Sequence, residues 1–229
     1  MIQPWVGVRG GALLFLVLWS AFGVPALGAS DVIARTYTWE YAGQTWSFEY
    51  TFPAYEYHLQ SSLARTLDYT IYGVYITDPL DDAILRDFVS KLEMMAGDLD
   101  VWQRLNLLIT LVQSIPYASE SCEYPRYPLE MLIDGQGDCE DAAILTAALV
   151  QYMGFDVVLL AFLLEHHMAV GIRVLPPQHQ TRESYAWNKA LYFYVEPTSP
   201  GWEIGERPAM YQSQPVIIGL PPIVAASSR

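Results

Sequence analysis

Cysteine is scarce in this 229-residue chain, basic residues are few, and charge of either sign is thin. Cys122 and Cys139 are too few for a disulfide-rich staple framework or a four-cysteine zinc site. They leave room for one disulfide, or for one working thiol and one spare. Lys and Arg number 12 against 25 Asp and Glu, a formal charge of −13. That balance gives no electrostatic footprint for nucleic acid or an anionic lipid surface. Charged residues are 16% of the chain and apolar residues 52%. Ordinary globular chains carry roughly 25% charge, so intrinsic disorder is excluded and a large core is available. Internal repeats and low-complexity tracts are absent. Beyond the N-terminus no stretch is long and apolar enough to span a bilayer.

The N-terminus is the exception. Arg9 precedes an apolar run from Gly10 to about Leu27, and Ala26-Leu27-Gly28 supplies small residues at its exit. A short basic region, an apolar region and an A-x-A-like site describe a secretory signal over residues 1–28. The rival is an uncleaved anchor, since Gly10 to Ala26 is barely long enough to span. The exit residues favour cleavage. Either way the remainder of the chain is expected outside the cytoplasmic membrane, secreted or at the cell surface, with no stable span in the mature part.

The expected organisation is an N-terminal β-rich extension over 29–76, a catalytic domain over 77–205 and a Pro/Gly-rich tail over 206–229. Tyr37, Trp39 and Tyr41, then Trp46, Phe48 and Tyr50, alternate with polar residues around Gly43-Gln44, a β-hairpin pattern. Ala54 to Tyr75 reads as partly extended. Ile84, Leu85, Phe88, Val89, Leu92 and Met95 recur at helical spacing after Asp78-Pro79, and Gly97 ends that helix. A second helix is predicted from about Asp100 to Ile115, stopped by Pro116. Residues 117–137 read as a loop. Asp138 is a candidate N-cap for a helix that is apolar nearly all round and ends at Gly154, hence a buried one. Strands are predicted over Val157–Leu164, His167–Val174 and Leu191–Glu196, and the order of elements gives an α+β fold.

Cys139 falls in the first turn of the buried helix, where free N–H groups and the dipole favour a thiolate. Asp138, Glu140 and Asp141 oppose this, because nearby negative charge raises a thiol pKa. A histidine beside the sulfur is therefore needed. His167 opens one predicted strand and Glu196 closes the next. A simple hairpin register with its turn inside the Leu175–Ala190 loop sets the two side by side. Cys139, His167 and Glu196 then form a nucleophile, a base and a carboxylate orienting the base. His166 is the other candidate base.

The surrounding residues resemble the transglutaminase-like family of papain-like cysteine enzymes, above all its secreted archaeal and bacterial members. The likeness runs through Tyr124 to Glu130, Gly137-Asp138-Cys139-Glu140-Asp141, His167 to Gly171, and Glu196-Pro197-Thr198 with Gly201 to Gly205, about half the chain. It implies a papain-like core, with the Cys-bearing helix packed on an antiparallel sheet. It also implies Cys139 as nucleophile, His167 rather than His166 as base, and Glu196 as the acid where many relatives carry Asp. The implied activity is acyl transfer on a protein or peptide substrate through a thioester, as peptidase, amidase or transglutaminase.

No cofactor and no metal is expected. Glu165-His166-His167 lacks the H-E-x-x-H spacing, His58 and His179 add no ligand pattern, and Asp78, Asp81 and Asp82 lack EF-hand spacing. The Cys139 backbone N–H is one natural oxyanion donor, with Tyr124 and Tyr127 as open candidates for another. Trp202 either walls the cleft or packs the core. Two other readings stand beside the enzyme: a non-catalytic surface-binding module displaying aromatic residues such as Trp39 and Trp46, and a structural domain with Cys122 bonded to Cys139.

Overall fold

The computed structural model describes residues 31–175 and 182–221. The expected leader over 1–28, His179 and the end of the tail lie outside them. Strands β1 (Val32–Tyr41) and β2 (Gln44–Pro53) pair antiparallel with Trp39 opposite Trp46. The turn is Ala42-Gly43, one residue earlier than the glycine suggested, with φ of 53° and 72°. Two residues in the left-handed region make the tight turn whose twist matches the strands. One face of the hairpin is buried, and its Tyr37, Phe48, Tyr50 and Phe52 rings surround Phe88 at centroid distances of 5.0–6.1 Å.

Phe88 belongs to helix α3 (Asp82–Ala96), which Gly97 ends as expected. Between β2 and α3 the chain is helical rather than extended: α1 (Ala54–Ser61), a 3-10 turn (Tyr69–Ile71) and α2 (Gly73–Ile76). The tyrosines at 55 and 57 mimic a strand period, but packing decides, with Gln60 fully buried and Tyr57 bonded to Asp134. Helix α4 (Val101–Gln113) is capped by Asp100, whose carboxylate accepts the Gln103 N–H at 2.9 Å. The expected loop at 117–137 contains a further helix, α5 (Pro128–Asp134). Its signals were present: Pro128 opens it, Glu130 reaches back to the Tyr127 N–H at 2.9 Å, and Gly135 closes it in the left-handed conformation. Seven residues are too few to display a period.

Helix α6 (Cys139–Tyr152) is the centre of the molecule, with every residue from Cys139 to Val150 buried. Burying one of its leucines or its isoleucine stabilises the fold by about 1.5–3 kcal/mol. It packs on β3 (Val157–Phe162) and β4 (His167–Ile172) and is surrounded elsewhere by α2 to α5. The sheet continues with β5 (Ser184–Trp187), β6 (Ala190–Val195) and β7 (Val216–Gly219), in the order β5-β6-β4-β3-β7, each neighbour antiparallel. The fold is thus mixed α and β with antiparallel sheets. β5 falls in the expected 175–190 loop and β7 in the expected tail. Both are four-residue edge strands, too short for alternation to show. Among the described residues no helix is long and apolar enough to cross a membrane.

Candidate active site

Two structural units meet at an open cavity of about 340 Å³, lined in part by Cys139, Glu140, His166 and His167. The first unit is the start of α6. Gly137 pairs with Tyr117 in a short parallel bridge, and the Ala118 N–H donates to the Gly137 carbonyl at 2.8 Å. A Cβ at 137 would lie 2.9 Å from the Asp141 Cβ, so only glycine permits this approach. Asp141 accepts the Asp138 N–H at 3.2 Å and the Arg126 N–H at 2.6 Å. The Arg126 guanidinium bonds Asp141 at 2.6 Å, with the two side chains 11% and 1% exposed, and also meets Glu120 and Asp134. Removing one partner of such a buried pair costs about 3–5 kcal/mol.

Arg126 therefore neutralises one of the three acids that crowd the thiol. The other two oppose each other's ionisation. Burial, then the hydrogen bond and charge of Asp138, push the Glu140 carboxyl far above the usual carboxylate range. Asp138 is raised too, by burial first, while the hydrogen bond from Glu140 opposes the rise. Both carboxyls are therefore raised together, burial being the first cause for each. The Cys139 thiol is pushed well above its ordinary value, by burial first and then by Glu140, with the Met168 backbone N–H working the other way. Its Sγ–H donates to Glu140 Oε2 at 3.3 Å and approaches the His166 carbonyl at 3.9 Å. The sulfur thus sits against the backbone on both sides of His167. Among the described residues it makes no hydrogen bond to the imidazole itself.

The second unit is the end of the sheet where β4 begins and β6 finishes. His167 Nε2 lies 3.0 Å from Glu196 Oε2, with the residues 7% and 1% exposed. The register differs from the simple hairpin: β4 and β6 pair Val170 with Val195, two residues off a direct His167–Glu196 match. An offset of two keeps both side chains on one face, and the length of Glu closes the diagonal. Glu196 also accepts the Tyr194 hydroxyl at 2.7 Å, the Thr198 N–H at 3.1 Å and the Thr198 hydroxyl at 2.5 Å. Burial alone would raise its carboxyl, but the bonds and charge of His167 with these donors hold it below the usual range. An ionised carboxylate only accepts, so this contact calls for a proton on Nε2 and does not use Nδ1. The strand end is fixed from α4, where Gln113 Nε2 donates to the Glu196 carbonyl at 2.7 Å and to that of Trp202 at 3.0 Å.

His167 and Glu196 are brought into contact, and Cys139 shares their cavity. His166 is exposed with a left-handed φ of 50°, and only its carbonyl faces the sulfur. Tyr124 and Tyr127 are not at the site. The Tyr124 hydroxyl is bonded between Arg65 and Glu130, and Tyr127 packs on Tyr75. Tyr72 and Tyr117 line the cavity instead. The Tyr117 phenol is pushed up to about 12, by burial first and then by the Cys139 charge. Trp202 is half-buried beside Gln113 and does not line the cavity. Cys122 is exposed and Cys139 buried, both as free thiols, which corrects the disulfide reading. Among the described residues no group of three His, Cys, Asp or Glu side chains could hold a metal ion. Arg126 was legible in principle, as the one basic residue between Glu120 and Asp141.

No family model and no curated protein matches the chain. A solved chain described as "Crystal structure of a TGase" is similar over 78% of this chain and 47% of its own, at 11% identity and a TM-score of 0.37. The chain spans about half the length of that protein. At such distance the chemistry has to be read from the side chains.

Proposed function

We propose that this chain is an exported, thiol-dependent acyl-transfer enzyme on a transglutaminase-like core, acting on peptide or glutamine amides. The observation that carries the reading is the buried His167–Glu196 pair, whose histidine lines the same cavity as a helix-start thiol. In the reaction, His167 Nδ1 takes the Cys139 proton as Sγ bonds to the amide carbon. The carbonyl electron pair moves onto oxygen, where the Cys139 N–H at the helix start is a donor. Collapse breaks the C–N bond, and the imidazolium gives its proton to the leaving amine. The resulting thioester passes its acyl group to water or to a primary amine. Glu196 fixes the tautomer and stabilises the imidazolium throughout. Residues 1–28 act as the export signal in this reading.

The test uses a peptidyl electrophile as thiol probe, with the labelled residue mapped by mass spectrometry. Labelling at Cys139 that disappears in Cys139→Ser and in His167→Ala is expected, together with Cys139-dependent release of amine from glutamine peptides. Labelling no faster than that of the unfolded chain, with no Cys139-dependent turnover, would overturn the reading in favour of a binding module.

A further inference from the structure

The segment Glu203–Ser213, read from sequence as the end of the catalytic domain and the start of a tail, crosses the sheet face that carries His167. It is pinned at both ends. At Gly205 the N–H donates to the Tyr194 carbonyl at 2.6 Å, and the Gly205 carbonyl accepts the Glu183 N–H at 2.9 Å. Gly205 has φ +87°, and a Cβ there would fall 2.4 Å from the Arg182 Cβ, so glycine is required for this passage. At the far end the Glu165 carboxylate accepts the backbone N–H groups of Gln212 at 2.9 Å and Ser213 at 2.8 Å, and the Ser213 hydroxyl at 2.5 Å. Glu165 stands in the turn between β3 and β4, two residues before His167. Between the pins, Tyr211 lies flat on the His167 imidazole, with ring centroids 3.8 Å apart and planes 3° from parallel.

We propose that this strap makes Tyr211 a positioning residue: it roofs His167, fixes the plane of the imidazole against Glu196 and keeps water from their hydrogen bond. Phe162 borders the imidazole from another side at 6.3 Å and lies 6.1 Å from Tyr211, so rings crowd the base while its edges stay available to Glu196 and the cavity. The Tyr211 phenol is pushed up to about 12, by burial first and then by the charges of Glu196 and Cys139, so the roof is uncharged near neutral pH. An imidazole free to rotate about its side-chain bonds would lose the Glu196 bond and the alignment of Nδ1 together. Glu165 acts through the strap and touches neither reacting group.

The role rests on His167 being the base of an acyl-transfer site, and the experiment separates the two ideas. The full chain and its Tyr211→Ala, Tyr211→Phe and Glu165→Ala variants are compared by two measurements: the NMR shifts of the His167 ring protons and the rate of Cys139 labelling by the peptidyl electrophile. The face of a stacked ring shields the protons beneath it. Tyr211→Ala is expected to move the His167 ring protons downfield and to slow Cys139 labelling by roughly tenfold to a hundredfold. Tyr211→Phe restores both, and Glu165→Ala gives smaller changes of the same sign. A merely structural ring would be replaced with no change in labelling rate. Unchanged ring shifts in Tyr211→Ala, or shifted ring protons with an unchanged rate, would overturn the proposal. A wild-type chain with normal ring shifts and an unreactive Cys139 would sink the acyl-transfer reading and this role with it, leaving only a stack.

Discussion

The two halves of the site are built on opposite principles. At the end of the sheet the carboxylate is fully partnered. Glu196 is surrounded by donors from His167, Tyr194 and Thr198, and its carboxyl is held below the usual range. At the start of α6 polar groups compete. Asp138, Glu140 and Cys139 are all raised by burial, Asp138 Oδ1 has no partner, and the thiol donates to a carboxyl instead of a base. Satisfied networks rigidify, while crowded carboxyls make a site sensitive to protonation. In the proposed acyl transfer the two halves divide the work: the sheet half presents a fixed base, and the helix half sets how readily the thiol loses its proton. Arg126 belongs to the second half as its stabiliser, since without it Asp141 would add a further charge beside the sulfur.

The strongest way to break the contrast is Glu196→Gln. The amide keeps the size but removes the charge that favours an Nε2-protonated imidazole. Loss of a positioned base costs about 10²–10⁴-fold. Labelling of Cys139 and turnover are expected to fall by that range while near-UV circular dichroism stays native. A loss below tenfold would mean that the sheet half is not the source of the base.

Glu140→Gln sharpens the contrast from the other side. The folded carboxyl is raised, so the native state prefers its neutral form. The stability it contributes is complete below the ordinary Glu pKa of about 4.3 and is lost as pH rises through the raised folded value. Gln mimics the neutral form. The variant is expected to flatten the fall of Tm from about pH 5 upward, and to speed Cys139 labelling about tenfold at alkaline pH, where the native Glu140 is charged. Equal pH profiles of Tm in the two proteins would show that Glu140 does not titrate in the folded state.

The sequence made one half of this picture more legible than the other. The hairpin, α3, α4, α6 and the three central strands follow from periods, caps and Gly or Pro stops, because each is long enough to show a pattern. α1, α5, β5 and β7 did not, since four to eight residues held by tertiary packing carry little local signal. At the site, Cys139 was legible from the helix start, and His167 and Glu196 from strand ends. The contact of His167 with Glu196 forms in a register two residues from the simple hairpin, because an even offset preserves the face. Tyr72, Tyr117 and Tyr211 were not legible as neighbours of these residues: nothing local distinguishes them from the other aromatics of a tyrosine-rich chain. Arg126 lies within the Tyr124 to Glu130 stretch, but the pair it makes with Asp141 spans 15 positions with α5 between them.

The smallest effect is the most discriminating test of how redundant the sheet half is. Thr198→Val removes the hydroxyl at 2.5 Å from Glu196 Oε1 and leaves the Thr198 N–H at 3.1 Å on the same oxygen. Shape is kept and no buried donor is stranded. A hydrogen bond of this kind is worth about 1 kcal/mol net. With the Tyr194 hydroxyl and His167 still bonded to the other oxygen, Glu196 stays ionised and in place. Cys139 labelling is expected to slow about fivefold, and urea unfolding to shift by no more than about 1 kcal/mol. A loss as large as that of Glu196→Gln would show that the donors act as one unit, with the hydroxyl as its keystone. No loss at all would show that the backbone N–H and Tyr194 already saturate the carboxylate. A few-fold loss, opposite in sign to the gain from Glu140→Gln, would place the two halves on the same reaction step while confirming that only one of them is built with reserve.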